Sequence, residues 1–326
     1  MGKFLVKSKK KLSQMNIGDE ISESDFAAMT PEGEFVQLEY IEEEQKRTYR
    51  VKPGLFVINK NDTGFYLEKT SFVNDKILES FIHTANISEK INCFFNKFDV
   101  YKKFGFEVPK RAMLLYGPPG TGKSTLISKV CQEYVKDEKT LVVIWPTTKF
   151  EAFQVKDFLR SFEYENSIEK MILVIEDIGG VEVDQVRMKS DSSLLSLLDN
   201  QEKTFRIPVL ILATTNFPEN FMANLTNRPQ RFDDKIKVDL PPAESRLALL
   251  EFFSGQEVDE ETAKLLKNVK CKAFSPAHIK EIVIRSAIYD KTFKEVIEEL
   301  IKEIENYNKA FTDQAKLGLS FNRDYD

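Results

Sequence analysis

Five short apolar runs punctuate the middle of the chain: Ala112–Tyr116, Leu141–Trp145, Met171–Ile175, Val209–Ala213 and Ile236–Leu240. Each but the last leads through loop residues into a segment with helical spacing. A strand that is apolar at consecutive positions is buried on both faces, so this alternation predicts a parallel sheet covered by helices. After Pro241-Pro242 the strand pattern stops. Residues 243–310 carry apolar positions three and four apart with Glu and Lys between them, most regularly from Phe293 to Ile304, and read as helices only. Ahead of the α/β region the texture is different. Phe35–Ile41, Arg47–Val51, Gly54–Lys60 and Gly64–Lys69 are short β-rich runs separated by Pro53-Gly54 and Asn61–Gly64, which predicts a small antiparallel β element. The expected fold is α/β, a five-stranded parallel sheet in an αβα sandwich. The expected boundaries are a β-rich N-terminal element with a lysine-rich tip over 1–72, the α/β domain over 73–241, a helical domain over 242–311 and a tail over 312–326.

Composition narrows the chemistry. With 47 Lys and Arg against 52 Asp and Glu the net charge is −5, which argues against a nucleic-acid coat protein. Three cysteines, widely spaced and without a C-x-x-C pair, predict neither a disulfide framework nor a zinc site. Two histidines leave little room for imidazole chemistry. No apolar stretch approaches the roughly 18 residues of a membrane span. The first eleven residues hold five lysines and no apolar stretch of secretory type. A cytoplasmic protein with no membrane partner is the expectation.

Chemistry enters at Gly117–Thr125, G-P-P-G-T-G-K-S-T, between a predicted strand and a predicted helix. In that context G-x-x-x-x-G-K-[S/T] is a phosphate cradle. Glycines let the backbone wrap phosphate oxygens, consecutive N–H groups point inward, and the helix N-terminus adds partial positive charge. Pro118, Pro119, Gly120, Thr121, Gly122, Lys123, Ser124 and Thr125 are the candidate ATP-binding residues. Lys123 reaches the β- and γ-phosphates and Ser124 is a ligand for Mg²⁺. Such a site needs carboxylates at the end of a second buried strand. Met171–Asp177, M-I-L-V-I-E-D, supplies them. By position Glu176 holds the water shell of Mg²⁺ and Asp177 polarises the attacking water; the reverse assignment is the alternative, because the order is the opposite of the commoner Asp-Glu. Asn216 closes V-L-I-L-A-T-T-N, where it can bond the γ-phosphate or the water. Arg228 and Arg231 in N-R-P-Q-R-F-D suit the γ-phosphate of a neighbouring subunit, where a planar cation stabilises spreading charge.

These motifs together resemble an AAA-type ATPase of the AAA+ superfamily, from about Val73 to Phe311. The Glu-Asp order and S-S-L-L-S-L-L-D-N before A-T-T-N are most similar to the mitochondrial AAA translocases that handle the Rieske iron–sulphur protein, whose N-terminal membrane span has no counterpart here. The resemblance implies the P-loop NTPase fold with a helical lid. It implies a homo-oligomeric ring, usually a hexamer, that hydrolyses ATP at subunit interfaces to remodel, unfold or translocate a macromolecule, with a protein substrate favoured. It makes Asn216 the sensor residue and Arg228 and Arg231 the trans-acting fingers. It places Ala277, in the S-P-A-H-I that opens a lid helix, against the base or sugar through its backbone. It points to Phe150 as the pore residue that grips substrate. Two other readings compete: an AAA-type ATPase in DNA transactions, such as a clamp or helicase loader, and a P-loop kinase for a small molecule. The kinase needs neither the arginine pair nor the helical domain.

Overall fold

The computed structural model describes residues 25–29, 35–43, 46–61, 64–71, 84–105, 110–146, 162–164, 167–178, 205–218 and 232–316, together with a few isolated positions. Phe150, Arg228 and Arg231 lie outside the described residues. The chain forms two compact units.

The first unit holds all the strands among the described residues. In chain order they are β1 (Asp25–Met29), β2 (Phe35–Glu43), β3 (Lys46–Val51), β4 (Gly54–Asn61), β5 (Gly64–Lys69), β6 (Lys110–Tyr116), β7 (Thr140–Pro146), β8 (Phe162–Tyr164), β9 (Lys170–Glu176), β10 (Val209–Thr215) and β11 (Asp234–Lys237). Helices α1 (Thr84–Asn96), α2 (Phe98–Lys103) and α3 (Lys123–Val135) belong to the same unit. The five expected strands occur, in the order β11-β6-β10-β9-β7, and every neighbouring pair is parallel.

The sheet, however, has seven strands rather than five. β4 pairs in parallel with β7, and β5 closes the edge as its one antiparallel strand. The four β-rich runs therefore do not form one element. β3 stops ahead of Pro53 and joins a separate sheet of order β1-β2-β3-β8, while the hairpin that begins at Gly54 completes the main sheet. The physical reason is burial: Leu55, Phe56, Ile58 and Leu67 are fully or almost fully enclosed, which a lone hairpin cannot achieve. β8 also interrupts the expected helix after β7, pairing Phe162 with Tyr49 across a parallel ladder.

Alternate side chains of the central strands feed two cores. Met113, Leu115, Ile172, Val174, Leu210 and Leu212 pack with α1 and α3, through Ile87, Ile91, Leu126 and Val130. Ala112, Leu114, Leu173, Ile175, Ile211 and Ala213 pack on the opposite face with Trp145, Phe158 and Phe162. Phe158 meets Phe162 edge-on at 4.9 Å and Phe65 of β5 at 5.6 Å, which ties the added hairpin to the segment before β9.

The second unit holds α4 (Ala243–Ser254), α5 (Glu260–Lys267), a 3₁₀ turn (Val269–Ala273), α6 (Pro276–Tyr289) and α7 (Phe293–Lys316), together with Pro118–Gly122. Leu249, Leu250, Leu266, Phe274, Ile279, Ile282, Val296 and Ile297 are its core. Arg246 is buried among them and donates to the carbonyls of Leu266 and Pro241 at 2.9 and 3.0 Å, so its charge is matched by backbone acceptors. α7 continues past the expected end at 311. Among the described residues no helix is long and apolar enough to cross a membrane.

At the start of β11, Asp234 accepts from Lys90 of α1 at 2.6 Å and from the Arg111 guanidinium at 2.8 and 2.9 Å. Burial pushes this carboxyl up, but the bonds from Lys90 and Arg111 outweigh it and hold the pKa below the ordinary value. A depressed carboxyl stabilises the fold above its unfolded pKa, and the contribution disappears as pH falls through the folded value. Asp234→Asn is therefore expected to cost roughly 1–3 kcal/mol at pH 7. The gap to the wild type should narrow below about pH 4. Urea titrations followed by Trp145 fluorescence, from the only tryptophan in the chain, check this.

Candidate functional site

β6 delivers the chain into the glycine-rich loop. Gly117 adopts φ 150° and donates its N–H to the Thr215 carbonyl at the end of β10, 3.3 Å away. A Cβ at Gly117 would lie 2.1 Å from the Val238 carbonyl oxygen, and Val238 N–H in turn donates to Tyr116 at 2.8 Å. Only glycine fits where the strand leaves the sheet. Gly120 and Gly122 also have positive φ, 73° and 89°, so the loop turns where L-residues resist turning.

Within the second unit, Thr121 is buried and donates its hydroxyl to the Pro118 carbonyl at 2.9 Å, while Pro119 and Gly120 are exposed. Ala277 N–H, in the first turn of α6, donates to the Gly120 carbonyl at 3.2 Å. That N–H is thus engaged by the loop itself. α6 is capped by Ser275, whose side chain accepts from His278 N–H while the His278 ring accepts from Ser275 N–H.

Within the first unit, α3 starts at Lys123, which is buried and donates to the Gly117 carbonyl at 2.8 Å. Burial pushes its ammonium below the ordinary pKa, and the nearby Asp177 carboxylate partly offsets this. Ser124 is exposed and Thr125 half-buried on the same first turn.

The acidic pair terminates β9. Ile172 and Val174 face α3, so two-residue alternation puts Glu176 on that face as well. The buried Cys131 thiol of α3 reports the same placement: burial pushes its pKa up, and the Glu176 charge pushes it further. Asp177 does not continue the alternation. Its φ is 50°, a left-handed conformation that costs a non-glycine residue of order 1–3 kcal/mol. Its N–H donates to the Thr214 hydroxyl oxygen at 2.9 Å, and its carboxylate accepts from the Asn216 side-chain amide at 2.9 Å. Ile178 N–H donates to the Thr214 carbonyl, and the Thr215 hydroxyl donates to the Ile178 carbonyl, at 2.8 and 2.7 Å.

Lys123, Glu176, Asp177 and Asn216, inferred separately from sequence, thus gather at the carboxyl ends of neighbouring strands. Thr214 and Thr215 were missed as participants. The signal was available: β10 is buried along its whole length, and a buried hydroxyl needs a partner. Among the described residues no group of three or more His, Cys, Asp or Glu side chains is placed to cage a metal. A hydroxyl at Ser124 and one carboxylate at Glu176, on the α3 face, instead fit a hard cation such as Mg²⁺ that keeps most of its coordination for water and phosphate.

Residues 113–240 match the family model "ATPase family associated with various cellular activities (AAA)". Among curated proteins, Protein HYPER-SENSITIVITY-RELATED 4 of Arabidopsis thaliana is 27% identical over 84% of this chain and 50% of its own length. The Cell division cycle protein 48 homolog of Archaeoglobus fulgidus is 32% identical over 51% of this chain and 24% of its own length. The Proteasome-activating nucleotidase of Methanothermobacter thermautotrophicus is 31% identical over 73% of this chain and 58% of its own length. The chain thus spans at most 58% of the length of these three relatives.

The loop geometry sets a stability test. Gly117→Ala is expected to destabilise the first unit by about 3 kcal/mol or more, because the added carbon meets backbone that cannot step aside. Gly105→Ala is the control: φ is 84° but nothing lies within 4 Å of the new carbon. It should cost only about 1–2 kcal/mol. Denaturant midpoints read from Trp145 fluorescence separate the two.

Proposed function

We propose that this chain, which carries an AAA-family ATPase domain over residues 113–240, binds Mg-ATP on its glycine-rich loop and hydrolyses it within a homo-oligomeric ring, a hexamer by family precedent, to remodel a protein substrate. The observation that carries the reading is the cluster of Lys123, Asp177 and Asn216 where β6, β9 and β10 end.

The chemistry follows from the groups present. Lys123 exchanges the Gly117 carbonyl for β- and γ-phosphate oxygens, where its charge counters theirs. Ser124 and Glu176 would hold Mg²⁺, with Glu176 toward its water shell, and the ion when bound would supply charge neutralisation at the phosphates. Asp177 accepts a hydrogen bond from the attacking water and orients it toward the γ-phosphate. Asn216, now on Asp177, senses the γ-phosphate by switching its amide from carboxylate to phosphate or water. Ala277 borders the base or sugar with its carbon surface, since its N–H is used by Gly120. Arg228 and Arg231 serve the nucleotide of the adjacent subunit, and Phe150 grips extended polypeptide. A protein substrate is supported by the relative named as a proteasome-activating nucleotidase.

Two variants separate the acidic roles. Asp177→Asn should bind ATP with near wild-type affinity and lose at least about 100-fold in hydrolysis, the scale of losing a positioned carboxylate. Glu176→Gln should instead weaken the Mg²⁺ dependence, shifting the half-saturating Mg²⁺ upward. Phosphate release against Mg²⁺ concentration measures both, and the opposite pattern reverses the two assignments. Catalysis in trans has its own signature. Arg231→Ala should bind ATP but hydrolyse it about 10³-fold more slowly. Mixing it with Asp177→Asn should recover part of the rate at mixed interfaces; mixtures as inactive as their components would contradict shared sites.

A further inference from the structure

Three non-glycine residues among those described have positive φ: Glu138, Asp177 and Asp290. Glu138 sits in the turn between α3 and β7, and Asp290 is the C-cap of α6, places where left-handed backbone is ordinary. Asp177 directly follows a parallel strand, where it is not. Something must hold it there. Two threonines of β10 do so: Thr214 accepts Asp177 N–H on its hydroxyl at 2.9 Å, and its own carbonyl accepts Ile178 N–H at 2.8 Å. Thr215 takes the other side of the turn, donating its hydroxyl to the Ile178 carbonyl and accepting Phe217 N–H on it at 3.0 Å. Both threonines are almost fully enclosed, at 3% and 1% exposure.

The geometry points to Thr214 as a positioning residue that holds Asp177 in its left-handed conformation, and to that conformation as the reason the second acidic position carries Asp rather than Glu. Asp and Asn tolerate left-handed backbone better than other side chains, because a short polar group can bond locally. Asp177 does so, accepting from Asn216. A strand continued regularly past Glu176 would turn the side chain at 177 to the face opposite Glu176, away from α3. The left-handed step breaks that alternation and leaves the carboxylate on the Asn216 amide, with its charge felt by Lys123. A glutamate at 177 has one more methylene and a less tolerant backbone, so it misses this position. The aspartate in the second place is then a consequence of backbone held by a hydroxyl on the neighbouring strand. This inference rests on the ATPase reading for its catalytic consequence and not for the hydrogen bond itself.

The test uses full-length protein. Thr214→Val keeps the side-chain shape and removes the acceptor. It should lower kcat for ATP about tenfold or more while the KM for ATP changes less than about threefold, the signature of lost positioning rather than lost binding. Thr214→Ser, which restores the hydroxyl, should recover most of kcat. Asp177→Glu should lose at least about tenfold in kcat although it returns the commoner residue to that place. Hydrogen exchange at the Asp177 amide should be accelerated in Thr214→Val and protected in wild type and Thr214→Ser. Wild-type kcat in Thr214→Val or in Asp177→Glu, or a Thr214→Ser enzyme as impaired as Thr214→Val, would overturn the inference. Should Thr214→Val not fold, Asp177→Glu and Thr214→Ser still decide it. A wild-type protein that releases no phosphate would sink the ATPase reading alone, since amide exchange still reports whether Thr214 holds the turn.

Discussion

Parallel register is the constraint from which the site follows. β10 lies between β6 and β9, with Thr215 beside Tyr116 and Ala213 beside Ile175. Three buried strands therefore end nearly level, and whatever follows them is forced together. Gly117 and the loop follow β6, Asn216 follows β10, and Glu176 with Asp177 close β9. Both faces of the sheet are covered by apolar cores, so polar groups can collect only where strands end. A slip of one residue in any of the three would exchange side chains between the two cores, each fitted to other residues, and separate Asp177 from its partners on β10.

The phosphate loop and the carboxylate strand were legible because each is local: a strand, a turn chemistry and a helix contiguous in sequence. The helical second unit was legible for the same reason, its apolar spacing being regular through Phe293–Ile304. What could not be read was pairing between distant segments. Nothing in Gly54–Lys69 announces that its partner is β7, more than 70 residues on, so the hairpin was assigned to a separate element when it completes the main sheet. Asp177 is a second case. Backbone handedness is not encoded in an acidic dipeptide, and it became visible only with Thr214 beside it. The hydroxyls of Thr214 and Thr215 bind the acidic turn, a role the run A-T-T-N does not disclose by itself.

Eight of the chain's 26 phenylalanines are core residues among those described. Phe56, Phe94, Phe95, Phe158, Phe162, Phe205, Phe232 and Phe274 are buried, and Phe158 touches both its near neighbour Phe162 and Phe65 of β5, far away in sequence. Large rings suit that task, since a few contacts bridge the hairpin and the segment leading into β8 at once.

In the proposed function Lys123 waits on the loop carbonyl and transfers to phosphate when nucleotide arrives. A structure of the Asp177→Asn variant with Mg-ATP tests it most directly. Lys123 Nζ is expected released from the Gly117 carbonyl and within about 3 Å of a β- or γ-phosphate oxygen. The Asn216 amide is expected within hydrogen-bond reach of the γ-phosphate or of an ordered water beside it. Lys123 still on Gly117, with the nucleotide bound elsewhere or absent at saturating ATP, would contradict it.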